Sequence, residues 1–93
     1  CHTISNAEIV TTALLYGNQD YGKSICLAVR ACFDTDCNGA TVGSVIGTAI
    51  GYNAIPEYWK NRVHDTLEST LMGYNSVSIS DMAEKTLDFI KKN

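Results

Sequence analysis

Glycine recurs every fourth residue at Gly39, Gly43, Gly47 and Gly51, with Ala40, Ser44 and Thr48 beside the first three. The spacing predicts a helix from about Asn38 to Tyr52, because residues four apart share one face. Each glycine costs a helix about 1 kcal/mol relative to alanine. Close packing accounts for four of them: a strip without side chains lets a second helix or a ligand reach the backbone. The same spacing marks membrane helix dimers, but Ala40 to Ile50 is too short to cross a bilayer.

The remaining pattern is also helical. From Asn6 to Tyr16 the apolar Val10, Ala13 and Leu14 keep helical spacing; Ser5 or Asn6 is the expected cap, and Gly17-Asn18 the stop. Asp20 is placed to cap a second helix with the stripe Tyr21, Ile25, Ala28, Val29 and Cys32. Pro56 suits the first turn of a helix that includes Trp59 and stops near Arg62. The segment His64 to Tyr74 is ambiguous: Val63, Leu67 and Leu71 keep helical spacing, yet Gly73-Tyr74-Asn75 reads as a turn. The last helix is capped by Ser78 or Ser80, carries Asp81 and Glu84 near its positive end, and has the apolar face Ile79, Met82, Ala83, Leu87 and Ile90.

The expected fold is therefore all-α, in one small domain spanning 1–93 with no repeat or linker. A chain this short buries only about 60–65% of its unfolded surface, so its stability is marginal without help. Hydrophobic residues make up 45% and charged residues 18%, a globular balance. The net charge of -3, with Lys91-Lys92 the only adjacent basic pair, argues against a nucleic-acid partner. No apolar run is long enough to span a membrane, and no signal peptide is recognisable. The four cysteines include no C-x-x-C pair. Cys26 and Cys32 lie six apart on what reads as one helix, on opposite sides. Free thiols fit a reducing, cytoplasmic setting.

Chemistry concentrates at Asp34-Thr35-Asp36-Cys37-Asn38-Gly39. Two carboxylates one residue apart, on a loop before a helix, can converge on one hard cation, and oxygen ligands suit Mg²⁺, Mn²⁺ or Ca²⁺ rather than zinc. The helix start at Asn38 and Gly39 adds backbone N–H groups that favour an anion or ligand oxygens. The plainer reading has Asp36 or Asn38 capping the helix and Asp34 in solvent. Asp34-x-Asp36-x-Asn38-Gly39 also matches the first half of an EF-hand calcium loop. That loop needs a glutamate at its twelfth position, where this chain has Val45, and it would run irregularly through residues that read as helix.

The same residues resemble the motif G-x-D-T-D-[TC]-N-x-A-x-x-G-x-x-x-G of ADP-ribosylglycohydrolases, matched by Asp34, Thr35, Asp36, Cys37, Asn38, Ala40, Gly43 and Gly47. Upstream, Ala13-Leu14-Leu15-Tyr16-Gly17 and Asp20-Tyr21-Gly22-Lys23-Ser24-Ile25 are similar to the helix pair that precedes it. Downstream, Ile55-Pro56-Glu57-x-Trp59 and Val77-Ser78-Ile79-Ser80 also resemble the family. The resemblance implies the C-terminal part of an orthogonal helical bundle whose complete site holds two Mg²⁺ ions, or Mn²⁺ in some members. It implies Asp34 and Asp36 as metal ligands. The next position often holds a threonine ligand; here Cys37 offers a thiol, a poorer ligand for a hard cation. A glycine pair often precedes the motif; here it is Cys32-Phe33. The implied reaction is metal-assisted hydrolysis of an ADP-ribosyl glycosidic bond, with ADP-ribosylated substrate or an ADP-ribose-like ligand as partner.

In that family the other ligands and any acid or base come from the N-terminal half, whose acidic motifs are not found here. Opening on Cys1 rather than Met, the chain is expected to be a fragment, a processed product or a sequence given without its start. It is expected to be inactive alone, and to cover apolar surface by forming a homo-oligomer or by docking to the missing half. The alternative is a catalytically dead, self-associating helical module of the same descent. Other residues offer less. Adjacent His64-Asp65 would point apart on a helix, Asp20 and Glu57 suit caps and surface, and Gly22-Lys23 lacks the spacing of a phosphate loop. Tyr58 and Trp59 suit core or interface, and Cys32 and Cys37 have no histidine nearby in sequence.

Overall fold

The computed structural model describes residues 2–92. It is mostly helical: α1 (Thr3–Tyr16), α2 (Tyr21–Arg30), α3 (Thr35–Ile50), a 3₁₀ turn (Tyr52–Ala54), α4 (Glu57–Val63), β1 (Thr66–Glu68), β2 (Ser76–Ser78) and α5 (Ile79–Lys92). The chain forms two compact units, one running to Pro56 and one starting at Glu57.

In the first unit the glycine strip of α3 receives α2. Tyr21, Ile25 and Val29 of α2 are also four apart, so two i+4 rows meet, one with side chains and one without. A Cβ at Gly39 would lie 3.3 Å from Val29 Cγ2, and at Gly43 3.4 Å from both Ile25 Cδ1 and the Tyr21 hydroxyl. At Gly47 it would lie 3.7 Å from Tyr21 and from Ile55. The strip therefore serves helix packing. Val42 and Ile46 of α3 complete a small core with Ala28 of α2 and Ala13 of α1. Ile9, Val10, Leu14 and Leu27 pack around it. Gly51, at φ 82°, ends α3 in a conformation that only glycine adopts readily.

Several boundaries differ from the sequence reading. α1 begins at Thr3, ahead of both expected caps, and no side chain caps it. Its stop uses Asn18 and Gln19 in the left-handed region, at φ 52° and 62°, while Gly17 stays right-handed. Asp20 caps α2 as expected, accepting from the Lys23 amide at 2.9 Å. Cys32 falls past the end of α2 at φ 62°, so it leaves the expected stripe, and the one-helix argument about Cys26 and Cys32 lapses with it. Cys26, Cys32 and Cys37 are free thiols. α3 begins at Thr35, three residues before the expected Asn38.

In the second unit α4 follows directly on Pro56, and the Glu57 carboxylate meets the Lys60 ammonium at 3.1 Å. Tyr58 and Trp59 pack edge to face at 5.6 Å, with the Arg62 guanidinium 4.3 Å above the Tyr58 ring. The ambiguous segment is a small antiparallel hairpin rather than a helix, pairing Leu67 with Val77. Gly73, at φ 82°, and the Ser69 hydroxyl donating to the Tyr74 carbonyl at 2.7 Å close its turn. Of the two expected caps for α5, Ser78 accepts from the Asp81 amide at 3.2 Å. Among the described residues no helix is long and apolar enough to cross a membrane.

Candidate metal centre

The turn from α2 to α3 determines where the acidic motif points. Cys32 and Asp34 both take left-handed backbone conformations, Asp34 at φ 46° and ψ 51°. Aspartate tolerates this region better than most residues. Asp34 is the residue before the first turn of α3, and its carbonyl accepts the first helical bond from the Asn38 amide at 2.9 Å. Its carboxylate does not cap the helix. Oδ2 instead accepts from Asn6 Nδ2 of α1 at 2.8 Å.

Asp36 and Cys37 sit in the first helical turn rather than on the loop ahead of it, and both are exposed. A helix start suits them because its free amides carry partial positive charge. One ligand atom from each of Asp34, Asp36 and Cys37 falls within 4.8 Å of the other two, the only such group of three among the described residues. The Cys37 thiol is pushed above its ordinary range by hydrogen bonding to Asp34 and by the negative charges of Asp34 and Asp36. It is therefore a protonated thiol at neutral pH, in a strongly negative surround. Two hard carboxylates beside a neutral thiol fit a hard divalent cation, with the oxygens as the principal donors.

Asn38 and Gly39 lie three and four residues inside α3, which starts at Thr35. Asn38 is 3% exposed and Gly39 is buried against Val29. The Asn38 amide donates to the Phe33 carbonyl at 3.0 Å and, at a longer 3.4 Å, to Asn6 Oδ1. They hold the loop and seat the helix, and the Asn38 backbone N–H is already taken by the Asp34 carbonyl at 2.9 Å. Asn6 is the residue that the sequence reading placed elsewhere. It looked like a local cap, and nothing in its neighbours announces a bond to a residue 28 positions on.

Other candidates separate from this centre. His64 and Asp65 lie in a left-handed turn rather than a helix, and Asp65 turns both oxygens to Ser78 and Ser80. The EF-hand reading closes, because α3 is helical where that loop would have to continue. A groove of about 380 Å³ lies on the α1 side of the first unit, lined by Ile9, Thr12, Leu27 and Phe33 among others, and none of the three motif residues borders it.

A family model of ADP-ribosylglycohydrolase matches residues 2–90. The chain belongs to the ADP-ribosylglycohydrolase family. Neither a curated protein nor a solved structure matches it. ADP-ribosylglycohydrolases are in general metal-dependent, and Asp34, Asp36 and Cys37 form a group of the kind that could hold an ion. Family membership also indicates an ADP-ribosylated substrate for the complete enzyme.

Proposed function

We propose that this chain is the C-terminal portion of a Mg²⁺-dependent hydrolase of ADP-ribosyl glycosidic bonds and supplies one side of its metal centre. The observation that carries the reading is the convergence of the Asp34 and Asp36 carboxylates at the start of α3, in a chain matched to the family from residue 2 to 90. Asp34 and Asp36 are the ligands. Cys37 is a marginal third, since a thiol is a poorer donor than an oxygen for a hard cation. When bound, Mg²⁺ or Mn²⁺ polarises and orients the oxygens of substrate and water. The residues of this chain contribute negative charge, a helix start and a rigid mounting. Remaining ligands and the acid or base belong to the other part of the family domain, and the chain by itself is inactive.

Titration with Mn²⁺, followed by loss of the free-ion electron paramagnetic resonance signal, tests the site. Asp34→Ala and Asp36→Ala should each weaken binding by at least about tenfold. Cys37→Thr, which replaces a soft donor by an oxygen, should tighten it. If both alanine variants bind Mn²⁺ as the parent does, the carboxylates are not ligands and the helical-module alternative is favoured.

A further inference from the structure

We infer that Asn6 is a positioning residue for the metal centre: it holds the Asp34 carboxylate out of its own helix and presents it to the cation. The inference rests on the metal reading of the site given above. An aspartate immediately before a helix ordinarily folds its carboxylate back onto the second or third backbone amide. Asp34 does not, and no side chain caps α3. The left-handed backbone of Asp34 departs from the extended geometry of an ordinary cap. Its carboxylate meets two other donors, the Cys37 thiol and the Asn6 amide, the latter at 2.8 Å, well inside the range of a good N–H···O bond.

The chemistry of asparagine suits this place. Asn6 lies between a carboxylate, which only accepts, and the Asn38 amide nitrogen, which only donates. One orientation of its side chain satisfies both neighbours, Nδ2 towards Asp34 and Oδ1 towards Asn38. Its donor is neutral, so it fixes the carboxylate without neutralising the charge that attracts a cation; lysine or arginine there would compete with the ion. Asn38 in turn is tied to the Phe33 carbonyl, so the orienting bonds run back into the same loop that carries Asp34. Partners of this kind, which orient a ligand from behind, typically cost 10–100-fold in metal affinity when removed.

The test is Mn²⁺ affinity of the full chain, measured alongside helix content by circular dichroism. Asn6→Ala and the near-isosteric Asn6→Leu both have higher helix propensity than asparagine, so α1 should persist in each. Both should weaken Mn²⁺ binding by about tenfold or more at unchanged helix content. The loss should shrink in the Asp34→Ala background, because the two residues act through one carboxylate. Parent-like affinity in both Asn6 variants, with binding lost in Asp34→Ala, would overturn the inference and leave the site standing. So would an Asn6 loss that adds in full to that of Asp34→Ala, which marks a merely structural residue. A parent that binds no Mn²⁺, or an Asp34→Ala variant that binds like the parent, removes the site reading and the inference together.

Discussion

At Gly17 the need for glycine is steric. Its φ of −78° is open to any residue, but a Cβ there would come within 2.8 Å of both the Ala13 carbonyl oxygen and Ser24 Cβ, and closer still to Ser24 Oγ. The first contact is with backbone and cannot swing away. Gly17→Ala should therefore lower stability by about 1–3 kcal/mol, the usual cost of overpacking, read as a fall in the thermal midpoint. Ser24 is fully buried and its hydroxyl has no hydrogen-bond partner. An unbonded buried hydroxyl costs on the order of 1 kcal/mol or more, while alanine keeps the small volume that Gly17 requires. Ser24→Ala should consequently hold or raise the thermal midpoint. A large fall would mean that the hydroxyl is bonded in solution.

Among the elements, the α2–α3 seam carries the first unit. Its glycines are not equivalent. A Cβ at Gly47 makes ordinary contacts at 3.7 Å, so Gly47→Ala should gain most of the helix propensity difference, about 1 kcal/mol. A branched side chain at Gly43 would instead drive into Ile25 and Tyr21. Gly43→Leu should cost about 1–3 kcal/mol and loosen the start of α3, visible as faster amide exchange there. In the second unit the hairpin and α5 are joined through Asp65, whose oxygens accept from the Ser80 amide at 2.9 Å, the Ser80 hydroxyl at 2.6 Å and the Ser78 hydroxyl at 2.8 Å. The serine hydrogen bonds hold its carboxyl below the ordinary carboxylate range. A depressed pKa stabilises the fold fully above the ordinary value, and that contribution fades as pH falls through the lowered one. Acidification should release the Ser80 amide in that window, with increased exchange at residues 79–81, and Asp65→Asn should remove the pH dependence.

For the molecule as a whole, the balance of buried and exposed apolar groups is unusual. Among the described residues four hydrophobic side chains form the buried core, and two of them are alanines. Ile4, Leu15, Tyr16 and Phe33 are each at least 65% exposed in the first unit, and Phe89 and Ile90 are similarly exposed on α5. A helix with apolar residues on several sides, as in α1, is one that buries more than one face. We therefore expect the chain to associate, with itself or with the rest of a family domain. Sedimentation velocity across a hundredfold concentration range should show a rising mean mass. A monomer throughout would contradict this.

The sequence alone determined most of the helices, the family and the acidic motif. These depend on local order: apolar spacing for α1, α2 and α5, Asp20 and Ser78 as caps, and a glycine every four residues for α3. Boundaries failed where a distant partner outbid a local one. Ser5 and Asn6 read as caps, yet Asn6 bonds Asp34 and α1 extends past it. Asp36 and Cys37 read as loop, but α3 starts early enough to lift them onto its first turn. Leu67 and Leu71 kept helical spacing, while a strand pairing that joins Thr66 to Ser78 took Leu67 into a hairpin. Tertiary structure decided which way the Asp34 carboxylate faces, because that choice rests on the left-handed turn at Asp34 together with a hydrogen bond between residues 28 apart, and side-chain hydrogen bonds over such separations leave no periodic trace in the chain.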